Sequence, residues 1–252
     1  MKNGSWHTAL LFSLLLGGTS ALGSETFNIG VINWCPYICP DTPKKPGILV
    51  EYIQAIYEDT GYQIKMDVYP WSRAIVYAID GTSDALLAPS KNEAPDLVFP
   101  NTEILSQKMC FFTAMDNPWQ YVDSQSLTGK RVTYPQDALP EGLNKLNKQT
   151  TFVAKAYSKT FLSQVTSMVQ SHRIDIVLAD YFAMSGYLNM NGLTRNIKLS
   201  GCLPSEKIYL AFTPNVDNKN RIKHLVEIYE ERIKVLIKNE FLKGLLTKYQ
   251  LH

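Results

Sequence analysis

Residues 174–178 (IDIVL) form an apolar run, and Asp180 stands just past it. Ligands of open α/β sheets enter at the carboxyl ends of strands, and a carboxylate there can hold an ammonium through a charge-assisted hydrogen bond. Trp34 and Tyr37 flank the end of another strand-like run, 27–33 (FNIGVIN). Arg73 follows Pro70-Trp71-Ser72 and can fork onto a carboxylate with two parallel hydrogen bonds. Ser90 lies in the loop Pro89-Ser90-Lys91-Asn92, after the apolar stretch 84–88 (DALLA). Trp34, Trp71 and Phe112 could add cation–π faces. Each residue also has a structural alternative. Asp180 can cap a helix starting at Tyr181, Trp34 can pack on its neighbours, and an arginine is usually a solvated surface charge. Tyr157 fits core packing as well as a binding wall, and Asp175 reads as structural.

These residues must be positioned by a folded chain. The sequence is 45% hydrophobic with 25 basic and 23 acidic residues, which excludes a disordered chain and a strongly basic nucleic-acid binder. No Ser-His-Asp set and no phosphate-cradling glycine motif is visible. The histidines at 172, 224 and 252 lack ligand spacing, so no metal or other cofactor is expected. A length of 252 residues allows one large domain or two smaller ones with real cores.

The N-terminus reads as a secretory signal peptide over residues 1–23. Lys2 opens it, 8–16 (TALLFSLLL) is its apolar core, and Ala21-Leu22-Gly23 is a small-x-small cleavage site. Its core is about half of the ~20 residues that a bilayer span needs. The expected location is therefore the periplasm. Four cysteines (Cys35, Cys39, Cys110, Cys202) in an exported chain favour disulfides over free thiols. Three pairings are open. The short Cys35–Cys39 loop closes at little entropic cost, which would leave Cys110 with Cys202.

Strands are expected at 27–33, 63–69, 84–88, 107–113, 130–134, 151–154, 174–178 and 207–213. Helices are expected at 48–60, closed by Gly61, and at 71–79 and 161–170. The stretch 139–146 is amphipathic, and 221–249 has a 3.6-residue apolar period, giving one long or two consecutive helices. The order β-α-β-α-β, repeated, implies α/β units with parallel sheets.

This order of parts resembles the bacterial periplasmic solute-binding proteins of the polar amino-acid family (family 3, type 2 periplasmic-binding fold). The resemblance covers the chain after residue 23. It is carried by Trp34 to Tyr37, Gly47, Gly81-x-x-Asp84-Ala85, Phe99, Leu127-x-Gly129-Lys130, Tyr157-Ser158, Arg173-x-Asp175, Asp180 and Lys248-Tyr249. It implies two α/β lobes joined by two crossover hinge strands, near 110–113 and 207–211. Lobe one would be 24–110 and 208–252, and lobe two 111–207. The implied function is capture of a small polar, amine-bearing solute between the lobes, by a monomer without enzymatic activity. Its partner would be an inner-membrane ABC permease or a sensor protein.

The resemblance further implies that Trp34 or Tyr37 stacks on the ligand, that the Ser90 loop fixes its amine, and that Asp180 binds that amine. Two positions depart from the family. An arginine that clamps the ligand carboxylate is replaced by Glu93-Ala94-Pro95-Asp96, and a Gly-Thr pair at a helix start is replaced by Gln136-Asp137-Ala138. Both departures point away from a simple carboxylate ligand. Two alternatives remain: a ligand-independent interaction protein with a vestigial cleft, and a dehydratase-type enzyme recruiting Asp180, Glu93 or Asp137.

Overall fold

A computed structural model of the chain describes residues 25–136, 139–144, 149–215, 217 and 219–251. The expected signal peptide, Asp137 and Ala138 lie outside the described residues.

The first sheet begins with β1 (Glu25–Val31), followed by α1 (Ile48–Tyr57), β2 (Tyr62–Val68), α2 (Trp71–Asp80) and β3 (Ala85–Leu87). Phe27, Ile29 and Val31 put one face of β1 into a core with Ile48, Leu49, Tyr52, Ile53 and Ile56 of α1. Gly30 lies on the other face, where a Cβ would sit 3.8 Å from the Ala74 carbonyl. The small residues Ala74 and Ala78 of α2 are fully buried on that side, in a cluster with Leu86 and Leu97. α1 ends three residues earlier than its apolar pattern implies. Asp59 adopts a left-handed conformation (φ 55°) before Gly61 does (φ 83°), so Gly61 serves the turn into β2 and not the helix cap. At the end of α2, Gly81 is the left-handed cap.

The chain crosses to the second sheet through β4 (Leu105–Gln107) and enters β5 (Met109–Ala114). Then come β6 (Arg131–Pro135), α3 (Glu141–Asn144), β7 (Thr151–Lys155), α4 (Phe161–Gln170), β8 (Ile176–Asp180), α5 (Tyr181–Met190) and β9 (Ile197–Cys202). It returns through β10 (Glu206–Ile208) to β11 (Leu210–Phe212), and ends in α6 (Lys219–Lys238) and α7 (Phe241–Lys248). Strand order is β11-β3-β1-β2 in the first sheet and β7-β6-β8-β5-β9 in the second. β4 and β10 pair antiparallel in a two-stranded sheet of their own.

Several expected elements shift. The strand expected at 107–113 is two strands, and so is the one at 207–213, because each leaves the two-stranded crossing and joins a different sheet. Residues 110–113 therefore lie inside β5, and the crossing itself is β4 with β10. The strand expected at 174–178 runs Ile176–Asp180, so Asp180 is its last residue. α5 and β9 are absent from the expected elements: α5 has little amphipathic contrast, and β9 carries Gly201 and only two buried positions, Ile197 and Ser200. The amphipathic stretch 139–146 holds a helix over Glu141–Asn144, with 145–148 outside the described residues.

α6 and α7 return to the first sheet. Leu225, Tyr229 and Ile233 of α6 join its core. Arg221 pairs with the buried Asp84 and with Glu25, while Asp84 also accepts the Asn28 N–H at 2.8 Å. Tyr249 donates to Glu51 at 2.7 Å and accepts from the Gly47 N–H at 2.8 Å. Gly47 has φ 119°, and a Cβ there would lie 2.2 Å from the Tyr37 carbonyl oxygen, so glycine alone lets the 34–40 loop close on α1. Both disulfides form as the short-loop reasoning favours, Cys35 with Cys39 and Cys110 with Cys202. The second joins β5 to β9 beside the crossing.

Candidate functional site

Each sheet has one topological switch point, where successive connections leave in opposite directions. In the first it lies between β1 and β3, and in the second between β6 and β8. Crevices outside the carboxyl ends of such strands bind ligands in open α/β sheets. Trp34 and Tyr37 follow β1, Ser90 follows β3, Gln136 follows β6 and Asp180 ends β8. Five of the expected residues thus flank the two switch points.

The structure brings part of this set into contact. Tyr37, fully buried, donates its hydroxyl to Asp180 Oδ1 at 2.9 Å. The bond joins the loop after β1 to the end of β8, and so one sheet to the other. The Ala183 N–H donates to the same oxygen at 2.9 Å, which makes Asp180 the N-cap of α5. Asp180 thus fills the capping role that is its structural alternative. Trp34, 6% exposed, packs its ring on Tyr37 with centroids 4.2 Å apart. Tyr157 stacks on Phe161 at 4.8 Å and touches the cores of both sheets.

Two polar atoms in this cluster lack a partner: Asp180 Oδ2 and the Tyr157 hydroxyl, both buried. Asp180 is 4% exposed. Burial pushes its carboxyl up to about 6, against the Ala183 N–H, the Tyr37 hydroxyl and the Phe182 N–H, which favour the carboxylate. Burial and the Asp180 charge push the Tyr157 and Tyr37 hydroxyls far up, so both stay protonated. A buried carboxylate oxygen and a hydroxyl without partners suit a donor bearing several N–H groups. An ammonium is such a donor, and the aromatic walls add to its attraction.

Other expected residues sit elsewhere. Phe112 lies in the core of the second sheet with Phe161, Val165 and Val177. Its side chain is held between the sheet and α4, so it offers no face to a ligand in this structure. Trp71 packs beside Ala74 and Leu97 on the outer helix layer, and Arg73 is exposed on the first turn of α2. Gln136 is exposed and gives its N–H to the Lys155 carbonyl at 2.7 Å. Asp175 binds Arg131, Oδ1 to Nη2 at 2.6 Å, in the structural role expected of it.

Ser90 is buried and closes on its own loop. Its N–H donates to Glu93 Oε2 at 2.9 Å, and the Glu93 N–H donates to Ser90 Oγ at 3.3 Å. Glu93 is exposed as a residue, but desolvation around its carboxyl pushes that group up, with the negative charge of Glu206 adding to it. The sequence carries the signal for this pair, Ser-x-x-Glu, the spacing of a capping box. Lys91 rests over the rings of Tyr209 and Phe99, at 5.2 and 5.9 Å.

Two cavities among the described residues, of about 330 and 440 Å³, lie away from this cluster. One is lined by Gln107, Met109, Tyr121, Leu203 and Glu206, the other by Tyr52, Ile104, Leu236 and Leu246. The Trp34–Tyr37–Asp180 cluster is packed shut.

Solved structures share the fold of this chain. A histidine kinase sensor domain similar to periplasmic binding proteins superposes with a TM-score of 0.70, at 18% identity, over 90% of this chain and 96% of that one. The chain has the type 2 periplasmic-binding-protein fold. The same fold appears in an amino-acid ABC transporter substrate-binding protein of Streptococcus pneumoniae bound to L-arginine. That match has a TM-score of 0.70 at 14% identity, over 89% of this chain and 94% of the other. It also appears in the second Venus flytrap domain of Bordetella pertussis BvgS, with a TM-score of 0.66 at 19% identity, over 89% and 93%. No family model and no curated protein matches the sequence. Among the described residues, no helix is long and apolar enough to cross a membrane.

Proposed function

We propose that this chain is a periplasmic solute-binding protein without enzymatic activity. It captures a small amine-bearing ligand where the two sheets meet. Lobe one comprises 24–110 and 208–252 and lobe two 111–207, with β4 and β10 as the hinge. The observation that carries the reading is Asp180, a buried carboxylate at a switch point, with Oδ2 and the neighbouring Tyr157 hydroxyl unpartnered. The ligand ammonium fills that position against Asp180, with Trp34 and Tyr37 as its aromatic wall. Solved relatives of the fold include both a transport receptor and sensor domains, so the product of binding is delivery to a permease or a signal to a sensor partner.

The test is a thermal-shift screen of the purified, oxidised protein, first stripped of bound solute by unfolding and refolding. Amino acids, polyamines, dipeptides and small organic acids are the probes. A ligand at 100 times its Kd stabilises by about 2.7 kcal/mol. A hit that disappears in Asp180→Ala supports the reading. A flat screen on well-folded protein refutes it and favours the ligand-independent interaction protein, which the shut cluster also fits.

A further inference from the structure

The elements flanking the two switch points differ in which hydrogen-bonding groups they leave unused. After β1, α1 starts with its Ile48 and Leu49 N–H groups donating to the carbonyls of Pro36 and Tyr37, at 3.0 Å each. After β3, the Ser90 N–H is taken by Glu93. After β6, the Gln136 N–H is taken by Lys155. After β8, the Tyr181 N–H goes to the Lys108 carbonyl at 2.9 Å and the Ala183 N–H to Asp180. Among the described residues, these are donors with which a strand end or helix start would hold an anion; Asp137 and Ala138, after β6, lie outside them. The chain uses each of them on its own acceptors. The groups left over are an acceptor, Asp180 Oδ2, and the Tyr157 hydroxyl, which can donate or accept.

Charge points the same way. Asp180 and Glu93 contribute two carboxyls at these strand ends, with Glu206 acting on Glu93. The nearest lysine in the Ser90 loop, Lys91, is held over the Tyr209 and Phe99 rings. Arg73 is exposed on α2, which follows the outermost strand β2 and not a strand at the switch point. An anionic group on the ligand would meet two carboxyls and spent donors.

We propose that the site selects an amine that carries no carboxylate, with Glu93 occupying the Ser90 N–H, a donor that could otherwise hold a ligand carboxylate. This deepens the solute-binding reading and rests on it. Glu93 thereby acts as a specificity determinant, rejecting free α-amino acids by like charge and by denying them a donor.

The experiment compares pairs of probes that differ by one carboxylate: agmatine with arginine, histamine with histidine, tyramine with tyrosine. Isothermal titration and thermal shift are run on the wild-type protein, Glu93→Gln and Glu93→Ala, with circular dichroism to confirm folding. Expected is binding of at least one amine about tenfold or more tighter than its parent amino acid, a difference of about 1.4 kcal/mol per factor of ten. Glu93→Gln removes the charge and keeps the acceptor, so the gap narrows. Glu93→Ala also frees the Ser90 N–H, so it narrows further. Parent amino acids binding as tightly as their amines, through Arg73 or otherwise, overturn this inference and leave the solute-binding reading standing. An amine preference unchanged in both variants overturns the role of Glu93. Failure of every member of every pair overturns both.

Discussion

Tyr37→Phe removes one oxygen atom, and the structure says where the loss is felt. The Tyr37 hydroxyl is one of two donors on Asp180 Oδ1, and Oδ2 has none. Without ligand, Asp180 keeps only its α5 N–H contacts. A lost hydrogen bond to a charged group costs about 1.5–3 kcal/mol, and one to a neutral group about 1 kcal/mol. Which applies depends on pH. The folded-state pKa of Asp180 stands at about 6, above its ordinary 3.8, so the fold favours the protonated carboxyl. That contribution is full below about 3.8 and is lost as pH rises through about 6. The gap between the two values corresponds to about 3 kcal/mol. Tyr37 stabilises the carboxylate and so limits this loss. Its removal should therefore cost about 2 kcal/mol at pH 8 and about 1 kcal/mol at pH 4.5. For a chain of this size 1 kcal/mol moves Tm by about 2–4 °C. Differential scanning calorimetry of wild type and Tyr37→Phe should show Tm falling by about 4–8 °C at pH 8 and about half that at pH 4.5. In an Asp180→Asn background the penalty should become independent of pH. A penalty equal at both pH values, or one that keeps its pH dependence in Asp180→Asn, refutes the reasoning.

Arg221→Ala strips the cationic partner from the buried Asp84 and leaves it the Asn28 N–H. Loss of about 3 kcal/mol is expected, read as a lower urea midpoint with unchanged slope, because an uncompensated buried charge remains. Arg221→Lys should recover little, since arginine bridges Asp84, Glu25 and the Thr26 carbonyl at once. Cys110→Ala with Cys202→Ala opens a loop of 92 residues and should lower stability by about 2–4 kcal/mol, measured by chemical unfolding under oxidising conditions. No change there would mean that the denatured chain is already restrained.

Local pattern carries much of this fold. The apolar face of residues 48–57 reads as a helix because its period is set by bonds within four residues. Gly81 reads as a helix end because glycine readily takes the left-handed φ, 87° here, that closes a helix. The order of α/β units and the short Cys35–Cys39 loop are legible for the same reason, and Cys110 with Cys202 follows only as the remaining pair. Asp180 is legible as a strand-end carboxylate and as a helix cap, because both roles follow from the apolar run before it and the residues after it. The Ser90–Glu93 pair could have been read from its spacing alone.

Other features are fixed by distant parts of the chain. Whether 107–113 is one strand or two depends on residues 206–208 pairing with 105–107, about a hundred positions away. Phe112 and Phe111 are neighbours in sequence, but β5 sends them into cores on opposite faces. Only the packing of those faces tells that neither ring is open to a ligand. The partner of Asp180 is a tyrosine 143 residues earlier, brought near by the meeting of two sheets. The sequence determines that a carboxylate ends the strand. The tertiary structure decides that it is buried, held on one oxygen and unpartnered on the other, because burial and partnership depend on the whole chain closing around it.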